Sequence, residues 1–181
     1  MKTIYTASLD KLSKIISVFA ILLFIWLTIL PQIISTNTPS LNSSKNLISL
    51  GVGIFVLIVF GFVYMYRILR YELSDTELII VRPYKSLHIP LKTIAGVMKL
   101  EKADILGTIR TFGNGGFFGY TGYYWKKSLG TMIFYLTQRK NLILIETLAK
   151  TGKTTGGKIV ISPDDIGMES KLIELLKGIK R

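Results

Sequence analysis

The sequence predicts a two-helix membrane hairpin followed by a small all-β sandwich or barrel that one C-terminal helix closes. Three observations carry this. Two long apolar runs lie close together near the start, 15–34 and 47–69. From Tyr71 the pattern changes to short segments rich in Ile, Val, Tyr, Phe and Thr, separated by turns, as in small β architectures. The end carries Leu172, Leu175, Leu176 and Ile179 at helical spacing, an amphipathic stripe able to cover a β core.

The opening KTIYTA (2–7) reads either as a free tail or as an edge strand. Ser8 is placed to cap a helix, with Asp10 in the first turn where negative charge is favoured. No charge appears from Ile15 through Ser44. A cleaved signal peptide is the rival reading of this run, but it is long, lacks an A-x-A-like site and is followed at once by a second apolar run. Pro31 stands near its far end, where a helix kinks or stops. The segment 35–46, STNTPSLNSSKN, has the chemistry of a connecting loop. Its Asn42-Ser43-Ser44 matches a glycosylation sequon, a pattern common by chance. The second run is free of charge between Lys45 and Arg67. That is about 21 residues, or roughly 31 Å of helix, enough to cross the hydrocarbon core.

Charge sets the expected orientation. Lys2, Lys11 and Lys14 precede the first run, Arg67 and Arg70 follow the second, and the loop between holds Lys45 alone. Positive charge stays inside, so both termini are expected in the cytoplasm and the protein in the inner membrane. The expected organisation is an N-terminal cytoplasmic segment 1–14, a hairpin 15–69 with its external loop at 35–46, and a cytoplasmic β domain 70–181. Neither run has an ionisable group near its centre, which disfavours a transport pathway.

The β segments are expected at 77–82, 86–91, 106–111, 120–125, 131–137, 142–147 and 158–161, after a strand and turn at 71–75. Turns are expected at Asn114-Gly115-Gly116, Leu129-Gly130, Arg139-Lys140-Asn141 and Thr151-Gly152-Lys153. In TMIFYLT, Met132, Phe134 and Leu136 face one way, Ile133 and Tyr135 the other. Ser162-Pro163-Asp164-Asp165 has the pattern of a helix start, with serine as the cap.

The 181 residues carry a net charge of +12 with no cysteine and one histidine, His88. Disulfides and thiolate chemistry are excluded, and a multi-histidine metal site within one chain is impossible. The basic balance suits nucleic acid in a soluble protein; beside a bilayer it suits anionic headgroups instead. A P-loop remnant at 147–154 lacks the first glycine and runs into Thr155-Gly156-Gly157, which favours a hairpin tip over a nucleotide site. Asp164-Asp165 has no third ligand nearby and reads as helix capping. The most distinctive stretch is RTFGNGGFFGYTGYYW, 110–125, glycines interleaved with aromatics. It reads either as a structural turn with core aromatics or as a contact loop for membrane or partner.

The motifs YELSDTELII, IPLKTIAGV, the 110–122 stretch, LILIET and ISPDD resemble those of bacterial membrane proteins that carry a pleckstrin-homology-like domain after a transmembrane hairpin. The resemblance covers residues 71–181 and, more loosely, the hairpin. It implies a sandwich or barrel of about seven strands capped by a C-terminal helix, and it carries over no catalytic residue. Phosphoinositide-binding members of the wider superfold place basic residues in the first hairpin loop; here that loop is Ser74-Asp75-Thr76.

The expected function is a membrane-anchored, non-enzymatic module that scaffolds or regulates partners at the inner membrane surface. Direct binding of anionic lipid through a basic and aromatic face is the alternative, and a membrane-associated enzyme the remote third. No cofactor, metal, nucleic acid or small-molecule substrate is expected; membrane lipids and a protein partner or second copy are. The expected contact residues are Arg110, Phe117, Phe118, Trp125, Lys126, Lys127, Arg139 and Lys140. A β-hairpin of the Trp125 and Met132 strands would put the two basic pairs at its opposite ends, with only one pair able to face the bilayer.

Overall fold

Among the described residues ten strands form two sheets, joined by one buried core and flanked by four α-helices. A computed structural model describes residues 2–35, 42–148 and 157–179, with backbone alone at 27–28, 30–35 and 42–49. The first sheet is antiparallel, in the order β1 (Thr3–Thr6), β2 (Arg70–Leu73), β3 (Glu77–Val81), β4 (Leu87–Pro90). The second contains β5 (Ile94–Leu100), β6 (Ile109–Gly116), β7 (Gly119–Lys126), β8 (Gly130–Leu136), β9 (Leu142–Thr147) and β10 (Lys158–Ile161). Its order is β5-β9-β10-β8-β7-β6, with β10 parallel to β8 and the other neighbours antiparallel. The helices are α1 (Lys11–Ser35), α2 (Asn42–Met65), the short α3 (Lys102–Ile105) and α4 (Gly167–Ile179).

The core between the sheets holds Tyr71, Leu78, Ile80 and Ile89 from the first and Ile143, Ile145, Ile159 and Ile161 from the second. On α4, Met168, Leu172 and Leu176 are buried against it. Leu175 packs beside them and Ile179 is half exposed. The expected cap is thus in place. Tyr71 ties the sheets together: its hydroxyl donates to the Tyr135 carbonyl at 2.7 Å and accepts from the Ser162 N–H at 3.2 Å. Burial pushes its pKa up to about 12.

Several expectations are corrected. Among the described residues the strands number ten rather than about seven. Of the two readings of 2–7 the edge strand holds, β1 pairing with β2, with Tyr5 opposite Tyr71 and Lys2 paired to the buried Glu72 at 2.5 Å. β5 was hidden because its sequence, IAGVMKL, does not alternate, and its pairing slips between Ile94 and Gly96. Residues expected as a strand at 106–111 divide between the exit of α3 and the start of β6. Asn114 to Gly116 belong to β6; the turn is Phe117-Phe118 instead. The helix caps differ as well. Asp10, not Ser8, caps α1, accepting from the Ser13 N–H at 2.7 Å. Ser162 is buried and accepts from the Thr137 N–H at 2.9 Å, so it closes the strand ends rather than opening α4. Asp164 accepts from the N–H and hydroxyl of Ser8; burial raises its pKa, and these bonds overcome that and hold it below the usual value.

The hairpin expected at 15–69 is helical over Lys11–Ser35 and Asn42–Met65, so both helices begin earlier than expected and residues 42–46 of the expected loop belong to α2. The end of the expected hairpin belongs to the β domain, since Ile68 is core and the Leu69 N–H donates to the Val81 carbonyl at 2.9 Å. The two helices meet at Phe24 and Phe60, whose rings lie 5.7 Å apart. Among the described residues no helix is long and apolar enough to cross a membrane. Residues 36–41 of the expected external loop, and the 149–156 part of the P-loop-like stretch with its turn, lie outside the described residues.

Candidate functional site

The glycine-aromatic stretch folds as the β6–β7 hairpin, and its tip is seated on the helices. Gly113 and Gly122 face each other across the two strands, with φ of 116° and 130°. A β-carbon on Gly122 would collide with the Phe112 carbonyl oxygen, so glycine alone permits this close crossing. At the tip Phe118 has φ 56°. That left-handed conformation costs a bulky residue about 1–2 kcal/mol.

Contacts to the helices offset that strain. The Phe118 N–H donates to Ser17 Oγ at 3.0 Å, and the Ser13 hydroxyl donates to the Gly116 carbonyl at 2.6 Å. Ser17 Oγ in turn donates to the Ser13 carbonyl at 2.7 Å. Both serines are buried. The Phe117 ring meets Phe60 edge-on at 4.7 Å, and Phe118 meets Tyr64 at 5.8 Å. The start of α1 is held to the neighbouring strands through Asp10. Its N–H donates to the Thr137 carbonyl at 3.0 Å; its carboxylate accepts from the Tyr120 hydroxyl at 3.2 Å and lies 3.6 Å from Arg139.

Beside this junction the second sheet leaves part of its other face open as a cleft of about 430 Å³. The floor is Tyr120, Tyr124, Phe134 and Leu136, with Ile105 of α3 in the wall. Tyr124 stacks on Phe134 with centroids 4.1 Å apart. Lys102, Arg110 and Arg139 stand in the rim, and among the described lining residues there is no carboxylate. Arg110 lies across Gly115, its Cζ 3.1 Å from where a β-carbon would be. Lys102 is carried by α3, which the Lys126 ammonium holds by donating to the Asp104 carbonyl at 2.5 Å. A second cleft of about 390 Å³ adjoins, between the start of α1 and Gln138 to Lys140, and shares Lys102 and Arg139. Burial raises the pKa of Tyr120, helped by Asp10 and opposed by Arg139. Burial does the same at Tyr124, where Arg110 opposes it.

The expected contact residues fall into three places. Arg110, Arg139 and Lys140 line the paired clefts. Phe117 and Phe118 lie at the tip, against α2. Trp125, Lys126 and Lys127 lie at the far end of the β7–β8 hairpin, where Lys126 pairs with Gly130 in register. Sequence reasoning missed Ser13, Ser17 and Lys102. The serines had a readable signal, two hydroxyls four residues apart at the start of an apolar helical run; Lys102 had none. Among the described residues no group of three His, Asp or Glu could hold a metal ion.

Two packed sheets closed by a C-terminal helix define a PH-like binding module, here joined to a helical hairpin. The family model described as bacterial PH domain matches residues 69–176, and the chain belongs to that family. PH domains typically bind lipids or proteins and are non-catalytic. No curated protein and no solved structure matches the chain.

Proposed function

We propose that the chain is a membrane-anchored, non-enzymatic PH-like module, its helical hairpin held in the inner membrane and its β domain presented to partners at the cytoplasmic surface. One observation carries this reading: α1 and α2 expose large apolar side chains on their described lengths. Ile15, Phe19, Leu22 and Trp26 of α1, and Phe55, Ile58 and Phe62 of α2, are each more than half exposed. Such a surface needs lipid or protein around it. The charge flanks support cytoplasmic termini. The seated β6–β7 tip supports a fixed, rather than tethered, attachment of the domain.

The test uses the lack of native cysteine. In intact cells a single cysteine at Ser43 is expected to react with a membrane-impermeant thiol reagent, and one at Lys127 only after permeabilisation. The reverse pattern, or equal labelling of both without permeabilisation, contradicts the reading.

A further inference from the structure

We infer that the paired clefts bind an anionic membrane amphiphile, its phosphate head among the cations and its apolar chain on the aromatic floor. The inference rests on the membrane-anchored reading and names a ligand class and site within it. The observation is a division of side-chain chemistry between two clefts that share Lys102 and Arg139. The first cleft has an aromatic and aliphatic floor of Tyr120, Tyr124, Phe134 and Leu136. The second is more basic, lined by Lys11, Lys102, Arg139 and Lys140 with Asp10. Their volumes fall within the range of small-molecule sites, roughly 300–1,000 Å³.

Charge complementarity decides the head. Lys102 and Arg110 make no ion pair or side-chain hydrogen bond among the described residues. Arg139 is only partly balanced by Asp10 at 3.6 Å, and its guanidinium lies 5.0 Å over the Tyr120 ring, which fixes its plane. In Lys102 and Arg110 an incoming phosphate therefore meets donors whose charge is not already spent on a protein carboxylate. Gly115 matters here too. Having no side chain, it lets Arg110 lie flat along β6 toward the cleft.

Position decides the source. The second cleft is lined by Leu9, Asp10, Lys11 and Leu12, the turn that opens α1. In the anchored protein that turn is the inner headgroup level. A lipid can reach the clefts sideways along α1 without leaving the surface region. The site is not the first-hairpin loop of phosphoinositide-binding PH domains; here Ser74 is turned into that loop, its hydroxyl bonding to the backbone of Glu77.

The experiment is native mass spectrometry of the full chain in non-ionic detergent, titrated with three probes. These are palmitoyl-lysophosphatidylglycerol, palmitoyl-lysophosphatidylcholine with the same chain but no net charge, and glycerol phosphate with the head alone. The first is expected to bind at least tenfold more tightly than either of the others. The K102Q/R110Q double variant is expected to lose that preference, and K127Q, at the far end of the sheet, to keep it. Both altered side chains sit in the rim, so an unchanged melting midpoint is expected. A diazirine-bearing lysophosphatidylglycerol gives a second readout on the unaltered chain, with crosslinks expected at peptides from β6, β7 and β8. Equal binding of the two lysolipids, tight binding of glycerol phosphate alone, or a double variant that binds as before overturns the site. So does crosslinking confined to α1 and α2. A chain that passes the cysteine test yet shows no lysolipid preference keeps its anchoring and loses only this inference.

Discussion

The two faces of the second sheet are built from the same residue types and end in different surroundings. On one face Ile143, Ile145, Ile159 and Ile161 are sealed by the first sheet and α4. On the other, Met132, Phe134, Leu136, Leu144 and Val160 form a second cluster with Tyr120 and Tyr124, covered in part by the four-residue α3. The sealed face has a whole sheet and a helix to close it. The open face has one helical turn and three cations, and a cleft remains. The difference teaches that continuous apolar strands such as LILIET and KIVI report burial on both sides without reporting what does the burying.

Changes to the sealed face are expected to cost stability and those to the open rim to cost ligand. The largest effect is expected from ending the chain after Ile161. Removing α4 uncovers the core that Met168, Leu172 and Leu176 close. Each contributes about 1.5–3 kcal/mol, against a total of roughly 5–15 kcal/mol. No cooperative melting transition is expected by circular dichroism; a transition at the full-length midpoint contradicts the architecture. Next is Gly122→Ala, which forces a β-carbon into the Phe112 carbonyl at φ 130°. It is expected to lower stability by about 3 kcal/mol, read from denaturant melts of the full chain. Tyr71→Phe follows, at about 1–2 kcal/mol, because it strips the Tyr135 carbonyl and Ser162 N–H of a buried partner. It should leave lysolipid binding unchanged.

The smallest effect is a pH dependence. Hydrogen bonding from Lys2, with help from Arg70, overcomes burial and holds the Glu72 carboxyl below its usual 4.5. A carboxyl lowered in the folded state adds stability above its unfolded pKa and loses it as pH falls through the folded value. The melting midpoint is therefore expected to drop on acidification below about pH 4.5, and Glu72→Gln to flatten that part of the curve. An identical acid limb in the variant would assign the loss to other carboxylates.

Much of the β domain was readable because its strands obey local rules. The limits of β9 and β10 fall where their apolar runs end, and the α4 stripe shows its buried face at helical spacing. β5 was not readable, since a glycine and a bulge interrupt its period. Nor was the true turn in the glycine stretch. Glycines marked the strands that must cross closely, while two phenylalanines took the turn because α2 holds them there. Arg110 and Arg139 were singled out but not their meeting, which depends on β6, β7 and β8 lying side by side. Lys102 reaches them only through the placement of α3, a tertiary fact with no local signature.

The central claim is that α1 and α2 lie in lipid while the sheet stays in water. Nitroxide labels on single-cysteine variants of the reconstituted full chain test it directly. Phe55, 65% exposed on α2, is expected to give a label relaxed by oxygen and shielded from a water-soluble nickel chelate. Lys127, in the β7–β8 turn, is expected to give the opposite. A label at Phe55 as accessible to nickel as the one at Lys127 would contradict the account.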